Sequence, residues 1–388
     1  MPTQRILLLS EKPEFSSRLG AVQYAFERGD WHIRLLQNSP DLLEYIRSWK
    51  PAGVLSFLKM RPEKDAVLRY LHRRGIPVVD CGWGEDTGLE VPRLSFSDTL
   101  IGQEAADFLL GLGYKHFAFV GHPDLTYAQG RLAGFQAALA EHGHKAQVYL
   151  EEHIFAEYTP TAYGLAVEKR LAHWVRNLPV PTAVLAANDH QAFKFVEICL
   201  AHDIPLRENL AVLGVDNNPF YTQSVRPTLS TIPLPFTKLG FEAAKLLDQM
   251  VHGQPAPIAP IRMAPLPVLV RESTPLLSLG DDVLGNALNY IDGHLNGPLK
   301  VEDVATAVGV CRAVLHRRFQ EHLKRTPLQE IHRRRLAVAQ RLLRETNDPI
   351  EKVARQCSFA SAARFCKIFR QKFGQTPRDY RLQFIGET

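Results

Sequence analysis

Four short stretches carry side chains suited to binding hydroxyl groups. Ser97 and Asp98 precede a helical pattern, and Arg131 lies in another helix opening. Asn188 and Asp189 end the apolar run 183–186, and Asp216 and Asn217 end the run 211–215. Carboxylates accept hydrogen bonds from adjacent hydroxyls, while Arg and Asn donate to hydroxyl and ring oxygens. Together they suit a polyhydroxylated ligand. Each has a plainer reading as well: Asp98 and Asp189 suit helix N-caps, Asp216 a turn cap, and Arg131 a structural ion pair. Trp31 and Trp83 could stack on a sugar face, although a lone Trp is more often core. Gly82-Trp83-Gly84 opens no helix and is not a phosphate loop. His122, His190 and His202 are isolated, and no G-x-S-x-G, H-E-x-x-H or Walker pattern occurs. No catalytic residue, metal site or cofactor is expected. Five cysteines without a C-x-x-C pair read as small buried hydrophobes.

The elements that must position these residues alternate. Apolar runs at 6–9, 53–58, 77–79, 117–120, 183–186 and 211–215 read as buried strands, with amphipathic helical patterns between several of them. Such alternation predicts parallel sheets in an α/β architecture, with length enough for two lobes. Five prolines between 255 and 267 restrict that stretch to edge strand and crossover. The expected boundaries are 1–274 for the α/β part, 275–280 for a linker and 281–388 for an all-α domain. The apolar run at 6–9 is too short for a secretory core, and no run reaches membrane-spanning length, so a cytoplasmic protein with no membrane partner is expected.

Charge separates the two parts. From Asp281 onward there are 19 Lys and Arg against 12 Asp and Glu, and elsewhere 27 against 29. A basic quarter on a near-neutral body suggests a nucleic-acid-binding appendage. Its pattern repeats. Val301, Val304, Ala305, Val308, Val310, Leu315 and Phe319 form one apolar set around a turn at Gly309. Ile350, Val353, Ala354, Cys357, Phe359, Phe365 and Phe369 copy it, with Ser358 at the turn. Each set predicts a helix-turn-helix unit. Between them, 327–345 reads as a helix about 28 Å long, near the ~34 Å between adjacent major grooves on one DNA face. Arg333, Arg334, Arg335, Arg341 and Arg344 on it suit phosphate contacts or a solvated face. Thr326-Pro327 with Gln329, Asp348-Pro349 with Glu351, and Thr376-Pro377 with Asp379 read as three helix starts.

About 100 C-terminal residues resemble the DNA-binding domain of the AraC/XylS family of activators. The resemblance includes Arg335-Leu336-Ala337-Val338-Ala339 with Leu342-Leu343, and the closing run from Phe373-Gly374 to Tyr380-Arg381. It implies base contacts from Arg312, Ala313, His316 and Arg317 in the first recognition helix. In the second it implies Ala362, Ala363, Cys366 and Lys367. Arg317 has the best chemistry, because a guanidinium bonds bidentately to guanine. Ser358 departs from the family, which usually has Gly there.

Residues from about Ile6 to Leu269 resemble the effector-binding core of the LacI/GalR repressors and periplasmic sugar-binding proteins. The carrying residues are Pro181 to Asp189, Leu213 to Asn217, Pro227 to Ile232 and Leu239 to Ala244. The resemblance implies sugar contacts from Asp98, Arg131, Asn188 and Asp216, with weaker claims for the neighbours Asp189 and Asn217. Leu234 stands where many relatives have Gln. A sensor of this type followed by an AraC-type domain resembles the arrangement in bacterial xylose-operon activators. That implies a pentose effector, D-xylose, a homodimer on double-stranded operator DNA, and RNA polymerase as a partner if the protein activates. A repressor, a regulator of another sugar, and a sugar-acting enzyme with a DNA-binding tail are the alternatives.

Overall fold

The computed structural model describes residues 3–385 apart from 11–14, 38, 40, 59–62, 83–88, 152–161, 208, 258, 276–281, 296, 324 and 346–347. Contacts divide the chain into two compact units, Met1–Thr274 and Pro275–Thr388. The linker expected at 275–280 lies outside the described residues from 276 onward.

In the first unit strands and helices alternate. The first part runs β1 (Gln4–Ser10), α1 (Phe15–Arg28), β2 (Trp31–Gln37), α2 (Leu42–Trp49), β3 (Gly53–Phe57), α3 (Glu63–Arg73), β4 (Val78–Asp80) and β5 (Leu94–Phe96). It then passes through α4 (Asp98–Gly111), β6 (His116–Gly121), α5 (Thr126–Glu141), β7 (Ala146–Leu150) and α6 (Ala162–Arg176). Next come β8 (Thr182–Ala186), α7 (Asp189–Ala201), β9 (Leu210–Asp216), α8 (Pro219–Gln223), β10 (Ser230–Pro233), α9 (Phe236–Val251) and β11 (Ile261–Met263).

One sheet has the order β2-β1-β3-β4, and a parallel bridge from Asp80 to Arg93 brings β5 alongside. The other has the order β7-β6-β8-β9-β10. All these pairs are parallel, and both lobes follow one doubly wound plan. Apolar runs cross the sheet centres because both faces are covered, as at Ile6 to Leu9 and Ala183 to Ala186. The proline-rich segment supplies β11, which pairs with β5 as a short strand. Leu269 then bridges to Thr231 of the second sheet.

Helix pairs repeat the plan. Helix α1 packs on α9, and α4 on α5. A Cβ at Gly20 would sit 1.8 Å from Thr237 O, and one at Gly240 would sit 1.6 Å from Ser17 O. In the other pair, a Cβ at Gly102 would sit 2.1 Å from Arg131 O, and one at Gly134 would sit 1.9 Å from Thr99 O. Four glycines thus let two helix pairs approach backbone to backbone. The runs Asp98-Thr99-Leu100-Ile101-Gly102 and Phe236-Thr237-Lys238-Leu239-Gly240 occupy matching places, each at a crossing between lobes.

The second unit is helical: α10 (Asp282–Gly293), α11 (Val301–Ala307), α12 (Arg312–Leu323), α13 (Pro327–Glu345), α14 (Ile350–Gln356), α15 (Ala362–Phe373) and α16 (Pro377–Ile385). Two small cores form. One gathers Leu284, Ile291, Val304, Leu315, Phe319 and Ile331; the other gathers Leu336, Leu343, Val353, Phe359, Phe365 and Phe369. Helix α13 contributes to both cores and joins them. Among the described residues no helix is long and apolar enough to cross a membrane.

Candidate functional sites

In the first unit the polar strand-end residues gather at the carboxyl edge of the second sheet, around one buried cation. Arg131, on the second turn of α5, is 2% exposed. Its Nε donates to Asp98 Oδ1 at 3.0 Å, and its NH1 donates to Ala187 O and lies 3.8 Å from Asp216 Oδ1. Its guanidinium also lies over the Tyr127 ring, 4.8 Å from the centroid. A buried charge needs such partners. Arg131 therefore forms the ion pair of the plainer sequence reading, and it holds both carboxylates in place. Asp98 and Asp216 remain partly exposed, their side chains at 26% and 17%. Burial raises the Asp98 carboxyl above its ordinary range, against the opposing pull of Arg131.

The helix-cap readings resolve differently for each residue. Ser97, not Asp98, precedes α4, and Asp98 spends its side chain on Arg131. Asn188, not Asp189, caps α7, accepting from Gln191 N at 2.8 Å. Its Nδ2 donates to the Tyr127 hydroxyl at 2.9 Å. Tyr127 was not singled out from the sequence, although it lies four residues before Arg131 and hence on the same helix face. Burial raises its hydroxyl above the ordinary tyrosine range.

Asp189 is 1% exposed and both its oxygens meet protein donors. Oδ1 accepts from Thr231 Oγ1 at 2.6 Å, and Oδ2 accepts from Asn218 N at 2.7 Å. Burial and the Asp216 carboxylate push its carboxyl well above the ordinary range. Gly214 leaves it room, since a Cβ there would sit 2.3 Å from Oδ1. Asn217 Oδ1 accepts from Arg271 NH2 at 2.8 Å, and its N–H donates to Thr231 Oγ1 at 3.2 Å. These bonds hold a strained corner: Asp216 has φ 112° and Asn217 φ 59°. Such backbone costs on the order of 1–3 kcal/mol and persists where the surroundings over-determine it. Asp189 and Asn217 thus shape the corner that aims Asp216.

Two aromatic expectations fare differently. Trp31 opens β2, at the amino end of its sheet, and packs on Tyr24 with centroids 5.4 Å apart. It is core-type packing, away from the carboxyl edge. Trp83 lies outside the described residues. Leu234 is buried, and its side chain has no group to hydrogen-bond a ligand.

In the second unit both turns form as the pattern demands. Gly309 has φ 70° and Ser358 φ 54°, so Ser358 adopts the left-handed conformation that favours glycine. Arg312, Ala313, His316 and Arg317 all lie exposed on α12. Arg312 NH1 bonds Glu302 Oε1 at 2.7 Å, and Arg317 Nε lies 3.9 Å from Glu321 Oε1. On α15, Ala363 and Lys367 are exposed, whereas Ala362 and Cys366 are half-buried against the core. The second recognition helix therefore presents less of its expected face.

The caps and arginines show the same sorting. Thr326 with Gln329 and Thr376 with Asp379 exchange the reciprocal bonds expected of capping boxes. Asp348 does not cap α14. It pairs with Lys352 at 2.8 Å, while Pro349 holds the cap position. Arg335 departs from the solvated-face reading: it is buried and donates to Gly297 O at 2.7 Å. Arg333 and Arg334 bond Glu330, which is 2% exposed. Burial pushes the Glu330 carboxyl up, but Arg333 and Arg334 outweigh it and bring it to about 2. The side chains of Arg341 and Arg344 lie outside the described residues.

Residues 106–274 match the periplasmic binding protein-like domain, and residues 304–383 match a helix-turn-helix domain. The xylose operon regulatory protein of Escherichia coli strain K12 is 28% identical over 360 residues, covering 91% of this chain and 90% of its own. That of Haemophilus influenzae is 28% identical over 293 residues, covering 75% of each. The solved structure of the xylose-binding transcription activator xylR aligns with TM-score 0.61 and 27% identity, covering 98% of this chain and 99% of that one. A transcriptional regulator CelR–cellobiose complex, 21% identical with TM-score 0.57, covers 70% of this chain and shares the fold. These relatives are regulators, not enzymes. By domain content and domain order, the chain is similar to the xylose operon regulatory proteins, and it is a transcription regulator with a periplasmic-binding-protein-like domain followed by a C-terminal helix-turn-helix domain.

Proposed function

We propose that the chain is a D-xylose-responsive transcription activator that binds operator DNA as a homodimer and recruits RNA polymerase. The observation that carries the sugar reading is the pair of partly exposed carboxylates, Asp98 and Asp216, set on one buried arginine. Two such acceptors, held apart by a shared cation, suit adjacent hydroxyls of a small sugar. Asn188 and Tyr127 border the same edge. The xylose assignment draws on the relatives named above. On the DNA side, Arg312, His316 and Arg317 of α12 carry base readout, while Ala363 and Lys367 of α15 add a smaller share, with Ala362 and Cys366 behind them. Sugar binding biases the molecule toward its DNA-competent state by no more than the sugar's preference for that state.

The test is thermal unfolding of the whole protein against a panel of pentoses and hexoses. At 100 times its dissociation constant a ligand adds about 2.7 kcal/mol, enough to raise Tm measurably. D-xylose should shift the wild type and leave Asp216→Asn unmoved. A shift from another sugar alone ends the xylose assignment. No shift from any sugar ends the sensor reading. Sedimentation at micromolar concentration checks the dimer, which a monomer with and without DNA would contradict.

A further inference from the structure

Glu330 and its arginines belong to neither recognition face. The two oxygens of this buried carboxylate accept four charge-assisted hydrogen bonds. Oε1 takes them from Arg333 NH2 at 2.7 Å and Arg334 Nε at 2.8 Å. Oε2 takes them from Arg333 Nε at 2.9 Å and Arg325 NH1 at 3.2 Å. One negative charge thus gathers three positive ones. Stability alone requires no such surplus, because a single guanidinium neutralises a carboxylate and the others repel each other at this range. A second anion facing the cluster would offset the remaining charge.

The cluster is open to one. The Arg325 side chain is 38% exposed and that of Arg333 43%, whereas Glu330 behind them is 2% exposed. Arg325 is tethered further by its Nε bond to Leu323 O at 3.0 Å. Guanidinium groups fixed in this way have already lost much of their rotamer freedom, and their planar forks match phosphate oxygens. They sit just before and on the first turns of α13, the helix that joins the two helix-turn-helix cores. Contact there would fix the register of both units without reading bases.

We propose that Arg325 and Arg333, gathered on Glu330, clamp a backbone phosphate of duplex DNA, with Glu330 as the positioning residue. This rests on the DNA-binding reading above. A phosphate contact is independent of sequence, so a 40-base-pair duplex of random sequence suffices as probe. The measurement is the affinity of the full chain for it across a salt series. Each phosphate contact contributes about 0.9 to the slope of log affinity against log salt.

Arg333→Gln should lower the slope by about that amount, and Arg325→Gln likewise. Arg69→Gln, an exposed arginine of the other unit, should leave the slope unchanged. Glu330→Gln supplies the sharper sign. Removing a negative charge should tighten DNA binding if only net charge matters. The clamp requires several-fold weaker binding and a lower slope, because the arginines disperse. Tighter binding by folded Glu330→Gln would overturn the proposal. If Glu330→Gln fails to fold, the two arginine variants decide, and unchanged slopes in both overturn it. Wild type that binds no duplex at 50 mM salt would remove the DNA-binding reading together with the clamp. Wild-type binding with unaltered variants removes the clamp alone.

Discussion

Asp98 and Asp216 share one cation, and their roles differ from its role. Arg131 is buried behind both carboxylates, so its removal leaves them without their common partner. Arg131→Ala should destabilise the first unit by about 3–5 kcal/mol, as breaking a buried pair does. Asp216→Asn should cost far less stability while abolishing the sugar response. Urea unfolding of the two variants separates positioning from contact. Asp189 gives a pH signature. Its carboxyl titrates well above the ordinary range in the folded state, so the folded state binds that proton more tightly. The group's contribution to stability is therefore greatest in acid, and is lost as pH rises from about 4 through the native value. Asp189→Asn removes that loss. Its Tm relative to wild type should rise between pH 4.5 and pH 7.5, and a fall would contradict the assignment.

At the scale of elements, the glycine contacts set the spacing of the helix pairs. Gly102→Ala forces a Cβ to within 2.1 Å of Arg131 O, a backbone atom that cannot rotate away. Overpacking of this kind costs about 1–3 kcal/mol or more. It also displaces the backbone that carries Arg131, so both Tm and sugar affinity should fall; unchanged values would show that α4 and α5 separate freely. Much of this arrangement is legible in the residues. The repeated apolar spacing of Val304, Leu315 and Phe319, and of Val353, Phe365 and Phe369, gives both helix-turn-helix units, because helical periodicity survives without tertiary information. Strand-end polar residues mark the carboxyl edge for the same reason. Contacts between distant segments are not legible. Nothing in the chain pairs Arg271 with Asn217, 54 residues away, or places Tyr127 between Arg131 and Asn188. Asp348-Pro349 has the composition of a cap, yet Asp348 turns to Lys352 and its carbonyl accepts from Arg381. Glu330 reads as an ordinary first-turn acid, yet it is buried and bonded by Arg325, Arg333 and Arg334.

For the whole molecule, the sugar edge and the recognition helices lie in separate compact units. Their coupling is a free energy that each ligand must report on the other. If D-xylose favours the DNA-competent state, DNA must raise xylose affinity by the same factor. Neither the carboxylate pair nor the helix-turn-helix units would explain regulation without that link. The most direct test is fluorescence anisotropy of the full chain on the DNA upstream of its own target operon, with and without saturating D-xylose. The account predicts a change in affinity of about 5–150-fold, the range of a 1–3 kcal/mol coupling, and its loss in Asp216→Asn. Identical DNA affinity with and without D-xylose, in protein that xylose demonstrably stabilises, would contradict it.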